Sequence, residues 1–177
     1  MILADILQWF LLILGFFLTL NAHWLGAHAL CPELVARARG QYERRPLRAT
    51  LIGALISAPT LLLAAVLASK LPHPLVKMGA IGLVLVLLLL ALIGSAGLVE
   101  RLGHGLPAGN DQYQPWRRML RGGSVLGLIF LMPFLGWFVL LPWTLISGVG
   151  AWALAGRAPK RRAVVDQETV ATVFSAP

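Results

Sequence analysis

The sequence predicts an all-α, polytopic integral membrane protein built as a helical bundle. Of the 177 residues, 58% are hydrophobic and only 12% are charged, whereas soluble domains carry about 25% charged residues. The apolar residues are gathered in long blocks, each sufficient for the roughly 20 helical residues that cross a bilayer. No block shows the alternation of a barrel strand, so helices are the structure that satisfies the backbone in lipid.

Four apolar blocks make up one predicted membrane domain over residues 1–156. The first three blocks predict helices over about 2–30, 47–69 and 75–99. The last block, 122–156, would be about 52 Å long as a single helix at 1.5 Å per residue. We expect it to fold back as two helices over about 120–132 and 137–156. Residues 157–177 are predicted to be a basic and then flexible cytoplasmic tail.

Three prolines and one glycine mark the predicted helix breaks. Pro59 removes a backbone donor near the middle of the second helix, so a kink is expected there. Pro133 and Gly136 form the expected turn of the hairpin, and Pro142 follows them. One strongly tilted and kinked helix is the alternative for this last block.

The distribution of basic residues predicts the orientation. The net charge is +8, and the charges lie in loops between apolar blocks, which favours anionic lipid headgroups over nucleic acid as counter-ions. A folded-back last block places every lysine and arginine on one side except Lys70 and Lys77, in keeping with the positive-inside rule. The expected location is a bacterial cytoplasmic (inner) membrane, with the N-terminus outside and the C-terminus cytoplasmic.

Basic residues in the segments 31–48 and 100–121 are the candidates for binding an anionic lipid or a protein partner. Such clusters attract anionic lipid at about 1 kcal/mol per basic residue, and they also act as topogenic signals. The candidates are Arg37, Arg39, Arg44, Arg45, Arg48, Arg117, Arg118 and Arg121.

Small residues at four-residue spacing predict close helix packing. Gly123 and Gly127 form such a pair at the start of the last block. Ser147, Ala151 and Ala155 repeat the spacing near its end. The pattern leaves open whether this packing lies within one chain or between subunits.

The predicted spans lack the groups that membrane catalysis and transport use. Residues 49–69, 78–99 and 122–156 contain no Asp, Glu, Lys, Arg or His, whereas proton relays and ion pathways depend on such side chains. His23, His28 and Cys31 follow the first helix, but their spacing does not place two metal ligands on one helical face. We therefore predict a protein that is not an enzyme and has no metal or cofactor, and the role of that trio stays open.

The order of elements is similar to a known membrane module. A basic segment ends in the sequence RPLR at 45–48, two apolar helices flank a proline-bounded turn, and the closing block contains MPFLGW at 132–137. Over about residues 20–155 this order resembles the membrane-spanning module of bacterial proteins related to the bactofilins, a polymer-forming cytoskeletal family. No stretch has the short β repeats of that family's polymer-forming domain. The resemblance implies a membrane anchor for a separate envelope or cytoskeletal protein, and it supplies no catalytic residue.

The function expected from the sequence is that of a non-enzymatic anchor, scaffold or accessory subunit of such an assembly. The expected partners are membrane lipids, anionic ones above all, and a protein of the assembly. The alternative is a small transporter or channel component whose pathway follows the broken last block, since broken helices bind ions through backbone carbonyls.

Overall fold

The computed structural model describes residues 2–70, 73–106, 114–132 and 134–157. These residues form six α-helices and one short π-helix, with no β-strand among them. The α-helices are α1 (Ile2–Leu30), α2 (Pro32–Arg44), α3 (Pro46–Lys70), α4 (Pro74–Gly105), α5 (Pro115–Phe130) and α6 (Leu141–Arg157).

Four helical segments are long and apolar enough to cross a membrane. They are Ala4–Leu30, Pro46–Lys70, Pro74–Gly105 and Leu135–Arg157, the last of which joins the π-helix Leu135–Leu140 to α6. The predicted all-α, multi-pass membrane bundle is confirmed.

Prolines determine where most of the helices begin. The helices α2 to α5 start at Pro32, Pro46, Pro74 and Pro115. The first helical turn suits proline, because its missing N–H would have no partner there and its fixed φ is already helical. Proline also restricts the residue before it. Arg45 accordingly leaves helical geometry with φ −152°, which separates α2 from α3 by a single residue.

The helix α6 lies between α3 and α4 and packs against both. It runs antiparallel to α3, because Ala49 lies against Gly150 whereas the later Ser57 shares a cavity with the earlier Pro142. It runs in the same direction as α4, and α5 runs antiparallel to α4. The last turns of α4 and α6 therefore meet α2 and the first turns of α3 and α5 at one end of the bundle.

Glycines let α6 approach both neighbours backbone to backbone. A Cβ atom at Gly53 would overlap the carbonyl oxygen of Ile146, and one at Gly150 would overlap that of Ala49. On the other side of α6, a Cβ at Gly94 of α4 would overlap the carbonyl oxygen of Gly148 in α6. Within a membrane these close contacts stabilise helix association, since lipid offers no hydrophobic driving force between helices.

The last apolar block folds back, as the sequence predicts. With 16 residues and 1.5 Å per residue, α5 is about 24 Å long, which is shorter than a hydrocarbon core of about 30 Å. The chain then turns and returns through the π-helix and α6. Gly136 lies at the start of the returning π-helix, where a Cβ would crowd the carbonyl oxygens of Ile129 and Phe130.

The π-helix accommodates Pro142 at the start of α6. The N–H of Leu141 donates to the carbonyl oxygen of Gly136, five residues earlier, so this turn is wider than an α-helical one. The wider turn leaves room for the proline ring, which crowds the preceding turn of an ordinary α-helix. Pro142 therefore marks the change from π to α geometry, and the helix is not interrupted there.

The structure differs from the sequence-based expectation in two loop segments and at two of the predicted helix breaks, Pro59 and Pro142. The segment 31–48 is largely helical because it contains α2, and 100–121 is shortened by the extension of α4 to Gly105 and the early start of α5. The helix α3 continues through Pro59, where the neighbouring Thr60 hydroxyl donates to the carbonyl oxygen of Ile56 at 2.6 Å. Pro133 and the predicted tail beyond Arg157 lie outside the described residues.

The contact between α3 and α6 predicts a large difference between two Gly→Ala substitutions. We expect Gly150→Ala to destabilise the protein by about 2 kcal/mol or more, because the new Cβ overlaps the carbonyl of Ala49. In Gly79→Ala the new Cβ meets nothing within 4 Å, so stability should be unchanged or rise by up to about 1 kcal/mol through helix propensity. Thermal unfolding in detergent measures both variants, and equal melting temperatures would contradict the close contact.

Candidate functional site: the basic end of the bundle

Most of the basic side chains that the structure describes lie at one end of the bundle. This end, called the basic end below, comprises α2, the beginnings of α3 and α5 and the last turns of α4 and α6. Lys70 and Lys77 lie at the opposite end. The basic end contains Arg37, Arg39, Arg44, Arg45, Arg48, Arg101, Arg117, Arg118, Arg121 and Arg157.

The helix α2 lies across the basic end on a small buried face. Val35, Ala38 and Tyr42 are fully buried, and their spacing of three and four residues places them on one side of the helix. The helix packs against α4 and α6. Gly97 of α4 allows this approach, because a Cβ there would crowd the backbone of α2 at Ala38.

Tyr42 fastens α2 to α6 through a buried hydrogen bond. Its hydroxyl donates to Oγ of Ser147 at 3.2 Å, and Ser147 donates in turn to the carbonyl oxygen of Thr144 at 3.3 Å. Burial raises the pKa of Tyr42 to about 12, although its hydrogen bond with Ser147 acts in the opposite direction. The phenol is therefore protonated at neutral pH, which suits a hydrogen-bond donor.

Arg39 connects α2 with α4 through a carboxylate. Its Nε donates to Oε1 of Glu43 on its own helix at 2.8 Å, and its Nη1 lies 3.4 Å from Oε1 of Glu100 on α4. The Glu100 side chain is only 14% exposed. This ion pair is consequently less screened by water and salt than a pair on the open surface.

His104 lies within hydrogen-bond distance of two arginines. Its Nδ1 lies 2.8 Å from the carbonyl oxygen of Glu100, so Nδ1 carries the proton and Nε2 is an acceptor. The Nη1 atoms of Arg39 and Arg118 lie 2.8 Å and 2.7 Å from Nε2. A single imidazole thus links α2, α4 and α5.

Two further arginines donate to backbone carbonyls near helix ends. Arg37 donates to the carbonyl oxygen of Ala155 in the last turn of α6 at 3.2 Å. Arg101 donates to the carbonyl oxygen of Tyr42 in the last turn of α2. The last four carbonyls of a helix have no partner within it and carry partial negative charge, so guanidinium donors stabilise both ends.

The eight arginines predicted as binding residues separate into two groups by exposure. The half-buried group, whose members interact within the protein, comprises Arg37, Arg39, Arg118 and Arg121. The exposed group comprises Arg44, Arg45, Arg48 and Arg117. Within the exposed group, the guanidinium of Arg117 lies 5.3 Å from the ring centre of Trp116, a cation–π geometry. The other three form no ion pair with a described carboxylate.

The five predicted packing residues are all buried in the structure. Gly123 and Gly127 face α1. A Cβ at Gly123 would crowd the side chain of Asn21, and one at Gly127 would crowd that of Phe17. Ser147 accepts a hydrogen bond from the hydroxyl of Tyr42. Ala151 and Ala155 belong to the same buried cluster as that tyrosine. These contacts lie within one chain and involve Gly123, Gly127, Ser147, Ala151 and Ala155.

The comparisons with known proteins identify no relative of this chain. No protein-family model, curated protein or solved structure matches the chain. The resemblance to the bactofilin-related membrane module therefore stays a prediction. Within the described ranges, no three His, Cys, Asp or Glu side chains are grouped to hold a metal ion, the trio of His23, His28 and Cys31 included.

Sequence reasoning missed α2 and the polar residues at the end of α4. Pro32 followed by apolar residues at 35, 38 and 42 is a signal for a short amphipathic helix beginning at a proline. The four-residue spacing of Glu100 and His104 indicates that α4 continues beyond its apolar stretch. Both signals were available in the sequence, but neither shows which helices these residues contact.

The buried phenol predicts a late step in an alkaline titration of the protein in detergent. The folded-state pKa of Tyr42, about 12, lies above the unfolded value of about 10. Its stabilising contribution is therefore complete below about pH 10 and is lost as the pH rises toward 12. We expect the ultraviolet absorbance of tyrosinate to show this late step in the wild type and to lack it in Tyr42→Phe.

The second tyrosine of the chain provides the control for this titration. The sequence contains two tyrosines, and Tyr113 lies outside the described residues. Tyr113→Phe should retain the late step. Loss of that step in Tyr113→Phe, or its persistence in Tyr42→Phe, would contradict the buried position of Tyr42.

Proposed function

We propose that this chain is a non-enzymatic membrane anchor or scaffold subunit, and that its basic end binds an acidic surface of an envelope or cytoskeletal protein. The observation that carries the proposal is the group of exposed arginines where α2 joins α3. Arg44, Arg45 and Arg48 lie within five residues of one another and form no ion pair with any described carboxylate. Exposed cations of this kind favour partners with complementary negative charge.

The rigidity of α2 supports a role in binding a protein. Its buried face, the bond from Tyr42 to Ser147 and the contacts of Arg39 hold it against the bundle. The exposed arginines are therefore presented from a fixed helix end. A preorganised surface loses less conformational entropy on binding than a flexible loop does.

We place the protein in a bacterial cytoplasmic membrane with the basic end in the cytoplasm. The support is the asymmetry of charge, because Lys70 and Lys77 are the only described lysines or arginines at the opposite end. Cytoplasmic loops carry the excess of basic residues in such membranes. In this orientation the N-terminus lies outside and α6 ends in the cytoplasm, where a soluble polymer-forming partner would meet Arg44 and its neighbours.

The packing of α6 argues against the alternative of a transport pathway along the last block. The backbone of α6 approaches α3 and α4 so closely that any residue larger than glycine at position 53 or 94 would overlap a carbonyl oxygen of α6. The apolar stretches 49–69, 78–99 and 122–156 also contain no ionisable side chain, and transport pathways commonly use such groups.

Charge neutralisation at the corner between α2 and α3 tests the proposed partner binding. We expect the triple variant Arg44→Gln, Arg45→Gln, Arg48→Gln to bind its protein partner about tenfold more weakly, because three exposed pairs at roughly 0.5 kcal/mol each sum to about 1.5 kcal/mol. Crosslinking in native membranes, mild detergent extraction and quantitative mass spectrometry measure the partner recovered with each variant.

The matched control removes positive charge from the opposite end. Lys70→Gln combined with Lys77→Gln should leave partner recovery unchanged, because both residues lie away from α2. The proposal fails if the triple variant recovers the same partner in the same amount as the wild type. It also fails if the wild type recovers no partner protein.

The orientation is tested with the native cysteine. The chain contains one cysteine, and Cys31 is exposed between α1 and α2 at the basic end. In spheroplasts, a membrane-impermeant maleimide should label Cys31 only after the membrane is permeabilised.

A cysteine at the opposite end supplies the reciprocal control. A variant combining Cys31→Ser with Lys77→Cys places the single thiol at the start of α4. This variant should be labelled without permeabilisation. The reverse labelling pattern would place the basic end outside the cytoplasm and contradict the proposed orientation.

A further inference from the structure

An apolar groove lies between α4 and α5 at the basic end. Its volume is about 400 Å³. Four of its residues recur at intervals of three and four along α4, which places them on one side of that helix, and Val125 closes the groove from α5. The lining comprises Leu98, Arg101, Leu102, Gly105, Leu106 and Val125.

Arg101 is the charged residue in this lining. It is exposed and donates to the carbonyl oxygen of Tyr42, which orients the guanidinium without neutralising it. No described carboxylate forms an ion pair with it. Arg101 lies two residues beyond the apolar stretch 78–99 of α4, after Glu100, where the hydrocarbon layer gives way to headgroups. The groove therefore combines an uncompensated positive charge with an apolar floor.

We propose that this groove binds one anionic phospholipid, with the phosphate at Arg101 and an acyl chain along Leu98 and Val125. A phospholipid matches both parts of the site, because its charged and apolar parts are covalently joined. Basic pockets between membrane helices on the cytoplasmic side bind anionic headgroups in this way. The leucines of the floor make an inorganic anion a poorer match.

The lipid site is separate from the proposed protein-binding surface. The groove is formed by α4 and α5, whereas Arg44, Arg45 and Arg48 lie where α2 joins α3. Either assignment can therefore fail without the other. The lipid experiment is carried out on purified protein, so it does not depend on a partner.

Binding is measured on the full chain in detergent by titration with phosphatidylglycerol or phosphatidylcholine, followed by thermal unfolding and native mass spectrometry. We expect the wild type to bind phosphatidylglycerol more tightly than phosphatidylcholine. Arg101→Gln should weaken phosphatidylglycerol binding about fivefold, as expected for the loss of one basic residue near a lipid headgroup. Arg101→Lys, which keeps the charge, should retain most of it.

Two further variants separate the groove from general charge attraction. Arg157→Gln removes an exposed arginine at the same end that neither lines the groove nor belongs to the candidate binding residues, and it should bind phosphatidylglycerol as the wild type does. Val125→Trp keeps Arg101 but fills the groove, so it should weaken binding of the lipid while the protein remains folded, as judged by its elution profile.

Three results would overturn the proposal. The first is unchanged phosphatidylglycerol binding in both Arg101→Gln and Val125→Trp. The second is an equal loss in Arg101→Gln and Arg157→Gln, which would indicate unspecific attraction to the basic end. The third is full competition by inorganic phosphate alone, which would assign the site to a free anion.

Discussion

Close backbone contact between α6 and its two neighbours is the constraint on which the rest of the structure depends. In water, apolar faces drive helices together, but lipid tails are as apolar as the helix surfaces, so a membrane bundle relies on contacts between small residues. Gly53 and Gly150 bring α6 onto α3, and Gly94 and Gly148 bring it onto α4. With α6 held there, the last block must turn back after α5, and its C-terminal end comes to lie beside α2.

The position of α2 follows from that arrangement. The last turn of α6 offers a carbonyl oxygen to Arg37, and Ser147 accepts the hydroxyl of Tyr42. The extension of α4 beyond its apolar stretch supplies Glu100 and His104 to Arg39. Arg37 and Arg39 therefore hold α2 against α6 and α4, so Arg44 and Arg45 at its end extend from a fixed element. This division of one charge cluster into a structural and an exposed part is the basis of the proposed anchoring role.

The fold class and the hairpin could be predicted from the sequence, because a bilayer leaves a chain few alternatives to long apolar helices. Gly136 lies at the start of the returning segment, whereas Pro142 lies within that segment and does not mark the turn. The helix α2 was harder to predict, since its buried face consists of Val35, Ala38 and Tyr42 among several charged residues. Its network was not predictable from spacing at all. Arg39 and Glu100 are 61 residues apart in the chain, and they meet only because α4 passes beneath α2.

Burial is concentrated toward the basic end, and this bears on where a function can be located. Residues 4–16 of α1 are all exposed, whereas Tyr42, Val99 and Met119 near the basic end are almost completely buried. For a helix in lipid, exposure of apolar side chains carries no penalty, since the tails solvate them. In the far half of the bundle the described helices expose apolar side chains, which suits contact with lipid tails. Defined polar geometry exists where the arginines are held, at the surface to which the proposed anchoring role assigns partner binding.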